Sequence, residues 1–194
     1  MRRTFFISLS KICVISEKKK RNLSEIQNKV ANSGIITIDP EEFYTTGERV
    51  LFDIKPMLFQ EIILKEKDFR DQIKNTDWSK YQDKLIAITC TADAIVPTWA
   101  YMLLTLAFEP FAKKIVFGDL PILENELFNE KLAALNIEQY KDARIVIKGC
   151  GEKEIPANVY VKLTALLKPL VKSIMYGEPC STVPLYKAPK DVNK

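Results

Sequence analysis

Residues 84–119 read KLIAITCTADAIVPTWAYMLLTLAFEPFAKKIVFGD, and their pattern decides the fold class. The run LIAIT (85–89) is apolar throughout and rich in β-branched residues, which is typical of a strand buried on both faces. Pro97 stands at the first position of an apolar run (97–108) and predicts the start of a helix. KIVFGD (114–119) is the next strand. This order predicts two parallel strands joined by a helical crossover.

The same alternation continues to residue 177. Further helices are predicted over 120–136 and 156–168, and further strands over 144–149 and 172–177. The sequence therefore predicts an α/β fold: a mainly parallel sheet with helices on both faces. The apolar run 97–108 is too short to cross a bilayer and is interpreted as a central buried helix. The chain is expected to contain no internal repeats.

The N-terminal part of the domain adds smaller elements. The stretch NLSEIQNKVANSG predicts a short helix with Ser24 as its N-cap and Gly34 at its end. Strands are predicted over 35–39 and 49–54, and they are expected either to add an antiparallel edge to the sheet or to form a small subdomain. An exposed helix is predicted over 66–75.

The chain divides into three parts by composition. Residues 1–22 carry seven Lys or Arg and one Glu, a local charge of +6, whereas the other 172 residues carry 22 basic and 24 acidic residues. This segment is interpreted as a non-native or disordered extension; the alternative is a targeting or membrane-surface tail. Residues 23–188 are expected to form one domain, followed by a disordered tail over 189–194.

The composition excludes several kinds of function. The chain has no histidine, which removes Ser-His-Asp and Cys-His catalytic systems and histidine-ligated metals. A slightly acidic domain is a poor match to a phosphate backbone, so nucleic-acid binding is not expected. Four cysteines in 194 residues are too few for a disulfide-stapled domain. We expect reduced thiols in a cytoplasmic protein that does not enter the membrane.

Three of the cysteines follow predicted strand ends. Cys90 ends the strand 85–89, Cys150 follows the strand 144–149, and Cys180 lies just beyond the strand 172–177. Because the carboxyl ends of parallel strands gather at one edge of a sheet, the three thiols are expected to converge there. Asp93 and Glu178 are candidate oxygen ligands or neighbours, and Asp119 ends another strand. The alternative is that each cysteine is a small buried apolar residue.

Four segments resemble the bacterial family called domain of unknown function 2480. They are NKVANSG, ADAIVPTWAY, ARIVIKGC and SIMYGEPCSTVPLYK, and the resemblance covers about residues 28–187. The resemblance implies genes that lie near those for sulfur-mobilising iron–sulfur cluster assembly. It therefore implies iron–sulfur assembly proteins as partners and an iron–sulfur cluster or a thiolate-bound metal as cofactor.

These observations predict an accessory protein of iron–sulfur or sulfur metabolism. The predicted metal ligands are Cys90, Cys150, Cys180, Asp93 and Glu178. One alternative is a thiol-dependent enzyme, a persulfide carrier or a redox protein, with one thiol of unusual reactivity. The other alternative is a non-catalytic scaffold with core cysteines.

Overall fold

Seven strands and four α-helices make up the part of the chain that the structure describes. The structure is a computed structural model, and it describes residues 34–178 and 181–189. The strands are β1 (Ile35–Ile38), β2 (Arg49–Asp53), β3 (Leu85–Thr89), β4 (Lys114–Phe117), β5 (Arg144–Ile147), β6 (Ser173–Glu178) and β7 (Ser181–Lys187). The helices are α1 (Glu66–Asn75), α2 (Thr98–Phe108), α3 (Leu120–Ala133) and α4 (Ala157–Leu167). The predicted helix before Gly34 and the predicted tail beyond Pro189 lie outside the described residues.

The strands form two sheets, and four of the five strand pairings are parallel. One sheet has the order β2-β3-β4, and the other has the order β1-β5-β6-β7, with only β7 antiparallel to its neighbour. The α/β fold with mainly parallel strands is therefore confirmed. The two N-terminal strands lie at sheet edges as expected, but both run parallel to their neighbours. The expectation of one sheet for all later strands is wrong, because β3 and β5 belong to different sheets.

Helix α3 lies between the two sheets. Its residues Leu123 and Leu127 pack on Leu85 and Ala87 of the three-stranded sheet. One residue further along the helix, Phe128 belongs to the core of the four-stranded sheet. Residues on neighbouring sides of one helix therefore serve two separate cores.

The other helices cover one sheet each. Helices α1 and α2 pack on the opposite face of the three-stranded sheet, through buried residues that include Phe69, Leu104 and Phe108. Helix α4 packs on the four-stranded sheet beside α3, through Val159 and Leu163. The three-stranded sheet consequently has helices on both faces, as predicted.

The chain contains an internal repeat, contrary to the expectation from the sequence. Helix α2 begins at Thr98 and α4 at Ala157, 59 residues later, and both are 11 residues long. The same spacing relates β3 to β5, β4 to the start of β6, and α1 to the second part of α3. The pairing register repeats as well: Leu85 faces Lys114, and Arg144 faces Ser173.

Backbone details repeat at the same spacing. Asp83 and Asp142 both adopt a positive φ, near 60°, two residues before a strand of the repeat begins. Their amides donate to the carbonyls of Phe111 and Leu170 respectively, which are also 59 residues apart. The two copies therefore share turns and register as well as element order.

The edge strands extend the repeat at a different spacing. Ile35 pairs with Arg144 and Arg49 with Leu85, so β1 and β2 hold equivalent positions 14 residues apart. This equivalence aligns Asp39 with Asp53. Each of these carboxylates accepts the backbone N–H of the residue two positions later.

Two local expectations from the sequence are wrong. Helix α2 is not buried all round: Leu104 is fully buried, but Met102 and Leu106 are 63% and 71% exposed. The sequence predicts no strand after residue 177, but Ser181–Lys187 forms β7 and pairs with β6. Within the described residues, no helix is long and apolar enough to cross a membrane.

The two sides of α2 provide a test of this packing. Leu104→Ala is expected to lower the free energy of unfolding by about 2–5 kcal/mol, because it leaves a cavity in a closed core. Met102→Ala, two residues away on the exposed side, is expected to change it by about 0.5 kcal/mol or less. Urea denaturation of both variants measures the difference. Equal losses would contradict a helix that is buried on one side only.

Candidate functional site

A cleft of about 360 Å³ lies at the carboxyl edge of the four-stranded sheet. It lies beyond the ends of β1 and β5, where ligands bind in parallel α/β sheets. Residues that carry chemistry line it: Asp39, Lys148, Cys150, Lys153, Tyr160 and Tyr176. The parallel register brings these side chains together, since Ile38 pairs with Ile147 and Ile147 with Tyr176.

Cys150 donates a hydrogen bond to a carboxylate from the neighbouring strand. Its Sγ lies 3.0 Å from Oε1 of Glu178, the last residue of β6. Cys150 is exposed, so an external molecule can reach the thiol. Two of the five predicted site residues are therefore in direct contact.

A second charged pair borders the same cleft. Lys148 Nζ lies 2.7 Å from Asp39 Oδ2, and this ion pair joins β5 to the end of β1. The hydrogen bond from Lys148 lowers the pKa of Asp39, and the same contact raises the pKa of Lys148. Both groups therefore keep their charges at neutral pH.

The two glycines around Cys150 leave room for neighbouring side chains. A Cβ on Gly149 would overlap the ring of Tyr176, and a Cβ on Gly151 would overlap the carboxylate of Glu41. The Tyr176 hydroxyl donates to the Gly149 carbonyl at 3.3 Å, and Glu41 accepts the backbone N–H of Lys153. The Gly-Cys-Gly sequence thus allows a tyrosine and a carboxylate to hold the loop that carries the thiol.

The charges around Cys150 keep its thiol protonated. The hydrogen bond to Glu178, and then the negative charge of that carboxylate, raise the pKa of Cys150, while Lys148 lowers it to a smaller extent. At neutral pH the site therefore holds a neutral thiol next to a carboxylate. Such a pair reacts as a nucleophile when the carboxylate takes the thiol proton.

Cys90 and Asp93 lie at the edge of the other sheet. Cys90 follows β3, is half-buried against the core of the three-stranded sheet, and its Sγ contacts the Ala92 carbonyl at 3.8 Å. Asp93 lies in a separate surface depression with Ile62 and Pro97. The expectation that Cys90 and Cys150 share the edge of one sheet is therefore wrong, because their strands belong to different sheets.

The repeat shows what occupies the equivalent positions at that second edge. Cys150 aligns with Thr91, whose hydroxyl donates to Asp53 at 2.5 Å. Glu178 aligns with Asp119, which accepts the N–H of Ile122 and caps α3. In the three-stranded sheet these two side chains bind a strand-end carboxylate and the N-terminus of a helix, whereas in the four-stranded sheet they bind each other beside a cleft.

The predicted metal or cluster site stays a prediction. Cys180 lies outside the described residues, and so does Cys13. Among residues 34–178 and 181–189, no three Cys, Asp or Glu side chains are grouped closely enough to hold a metal ion.

Several residues of the cleft were not predicted from the sequence. Asp39, Glu41, Tyr160 and Tyr176 come from distant parts of the chain, and no local motif marks them. Lys148 stands two residues before Cys150, and no local motif marks its ion pair with Asp39 either. The equivalence of Asp39 and Asp53 does not follow from the 59-residue spacing of the repeat, because it depends on the pairing of β1 with β5 and of β2 with β3.

Comparison with known proteins identifies a family. The chain matches the family described as "Protein of unknown function (DUF2480)" over residues 24–188. It belongs to this family. No curated protein and no solved structure matches the chain. The DUF2480 match spans Cys150, Glu178 and the other residues of the cleft, and it begins beyond residues 1–22.

Removal of the Glu178 charge tests the protonation state of the Cys150 thiol in this DUF2480 protein. In Glu178→Gln the pKa of Cys150 should fall, because the carboxylate that favours the neutral thiol is gone. More thiolate is then present at neutral pH, so alkylation of Cys150 by iodoacetamide should become several-fold faster. Peptide mass spectrometry gives the rate at each cysteine. Cys90, on the other sheet, is the internal control and should not change; an unchanged rate at Cys150 would contradict this assignment.

Proposed function

We propose that this DUF2480 protein is a thiol-dependent protein of sulfur metabolism in which Cys150 accepts a sulfur atom from a persulfide. The observation that carries the proposal is the 3.0 Å hydrogen bond from the exposed Cys150 thiol to Glu178, at the mouth of a cleft. The sulfur chemistry agrees with the gene neighbourhood that the family resemblance implies.

The proposed step needs no external oxidant. Cys150 Sγ attacks the terminal sulfur of a donor persulfide, R–S–SH, and a new S–S bond forms as the donor S–S bond breaks. Glu178 takes the proton of the Cys150 thiol and gives it to the departing thiolate of the donor. The products are a Cys150 persulfide and the free thiol R–SH.

Each neighbour of the cleft has a role in this step. Glu178 is placed to move the proton, because its carboxylate already accepts it in a hydrogen bond. The Lys148–Asp39 pair and the Glu41 contact to Lys153 hold the β1 and β5 ends in register around the thiol. The Lys148 ammonium favours the anionic form of Cys150, which develops during the attack.

This mechanism is favoured over a preformed thiolate nucleophile. Reactive thiolates have lowered pKa values, usually from a nearby cation or a helix N-terminus. Here the pKa of Cys150 is raised by Glu178, which acts against a permanent thiolate. A carboxylate base that acts only during the reaction is the arrangement consistent with this geometry.

Glutathione persulfide is a suitable donor for the test. After incubation at neutral pH, the peptide that contains Cys150 should gain the mass of one sulfur atom, and Cys150→Ser should abolish that gain. Cys90→Ser is the matched control and should leave it intact. Sulfur addition at Cys90 with none at Cys150 would overturn the proposal.

Glu178→Gln separates a proton-transfer role from a purely electrostatic one. Alkylation by iodoacetamide should become faster, since iodide leaves without a proton. Sulfur transfer should become slower, by about 10²-fold or more, since the departing thiolate loses its proton donor. If Glu178→Gln accelerates both reactions, Glu178 only sets the pKa of Cys150 and the proposed mechanism fails.

A further inference from the structure

A second cavity adjoins the cleft that contains Cys150. It has a volume of about 470 Å³ and lies between the first turns of α3 and the loop that follows β5. Lys153 lines both cavities. Glu41 lines the cleft and Tyr44 lines the second cavity, and the Tyr44 amide donates to the Glu41 carbonyl at 3.0 Å. The two cavities therefore join into one surface, which we call the long groove.

Carboxylates outnumber ammonium groups along the long groove. The residues that line it include five with carboxylates and two with ammonium groups: Asp39, Glu41, Glu124, Glu152, Glu154, Lys148 and Lys153. Two of the carboxylates are paired. Asp39 binds Lys148, and Glu124 binds Arg49 of β2. These pairs hold the walls of the groove and leave the other charges to face an occupant.

The charges that remain are mostly negative. Three carboxylates, of Glu41, Glu152 and Glu154, stand against the ammonium of Lys153, a net charge of −2. Glu152 and Glu154 are exposed and have no ion-pair partner among the described residues. The Lys153 ammonium lies 5.5 Å from the centre of the Tyr44 ring, a cation–π contact within the protein. The long groove therefore favours a positively charged occupant.

A buried hydrogen-bond acceptor lies in the wall of the long groove. Asn125 of α3 lines the second cavity, and its Nδ2 donates to the Pro121 carbonyl at 2.9 Å. The Asn125 Oδ1 is buried and accepts no hydrogen bond from the described residues. A buried acceptor without a donor is destabilising, so an occupant rich in N–H groups suits this wall.

The negative charge belongs to the edge that carries the thiol and is not a general feature of the repeat. Lys153 aligns with Ala94 and Glu154 with Ile95, and Ile95 is 96% exposed. The two loops have the same length, because the 59-residue spacing holds on both sides of them. The same loop is therefore apolar at the edge of the three-stranded sheet and charged beside Cys150.

We propose that the sulfur donor of Cys150 is a cysteine persulfide within a positively charged peptide segment of a partner protein. This segment lies along the long groove, with its persulfide at Cys150 and its basic side chains beside Glu152 and Glu154. The inference rests on the function proposed above and names its donor. The transfer step is unchanged, and the partner's cysteine leaves as the free thiol. Glutathione persulfide is anionic, so it reacts at Cys150 without this attraction.

A peptide that cannot react tests the occupant by itself. The probe is a fluorescein-labelled peptide in which serine takes the place of the donor cysteine and lysines follow it; its control has glutamates instead. At low ionic strength the protein should bind the lysine peptide at least about tenfold more tightly, and added salt should reduce the difference. Fluorescence anisotropy measures both affinities. The lysine peptide should also slow alkylation of Cys150 by iodoacetamide and leave Cys90 unchanged.

Two matched double variants locate the peptide. Glu152→Lys/Glu154→Lys should reverse the preference, so that the glutamate peptide binds more tightly. Asp71→Lys/Glu138→Lys changes the net charge by the same amount at exposed positions outside the groove, on α1 and before β5, and should keep the preference for lysine. The fluorescence of Trp78, buried in the other sheet, should stay native in both variants.

The outcomes separate the donor from the proposed function. Equal affinities for the two peptides, or equal effects of the two double variants, would overturn the donor. The persulfide form of the lysine peptide should add sulfur to Cys150 about tenfold faster than that of the glutamate peptide. Equal rates would overturn the donor alone. Selective binding without any sulfur on Cys150 would overturn the function proposed above and the donor with it.

Discussion

Helix α3 is the element on which the rest of the structure depends, because two sheets share it. Leu123 and Leu127 close the core of the three-stranded sheet, and Phe128 and Leu132 enter the core of the four-stranded sheet. The salt bridge between Arg49 of β2 and Glu124, at 2.5 Å, fixes the helix to the strands beside it. One sheet cannot bury both apolar sides of this helix. The helix is fully buried only when both sheets pack against it, and this packing holds the two sheets together.

The two copies of the repeat have the same backbone arrangement but different side chains at the carboxyl edges of their sheets. Thr91 and Cys150 hold equivalent positions, but Thr91 donates to Asp53 of the neighbouring edge strand in the three-stranded sheet, whereas Cys150 donates to Glu178 of β6 in the four-stranded sheet. The first pair is a hydroxyl and a carboxylate that tie a loop to a strand end. The second adds a nucleophilic sulfur in an open cleft, where the carboxylate no longer serves the backbone. The two copies of the repeat therefore have different side chains at equivalent strand ends but the same strand register.

The cleft illustrates how much of a site local sequence can reveal. Cys150 was predicted because it follows a strand and Glu178 because it is a candidate oxygen ligand close to Cys180, and the structure brings Cys150 and Glu178 into contact. Cys90 was predicted by the same rule, but it belongs to the other sheet, since strand order is set by packing and not by position in the chain. Asp39 and Tyr176 were missed because their approach depends on the pairing of β1, β5 and β6.

The sequence by itself determined the elements. β-Branched runs defined the strands, prolines and glycines defined the helix ends, and α1 and β3 have the predicted bounds. Only the tertiary structure decided which strands are neighbours, which side of α2 is exposed, and that the last strand is β7. The periodicity of apolar residues predicts that a side chain will be buried. It does not predict which distant residues cover that side chain, because this depends on the packing of the whole chain.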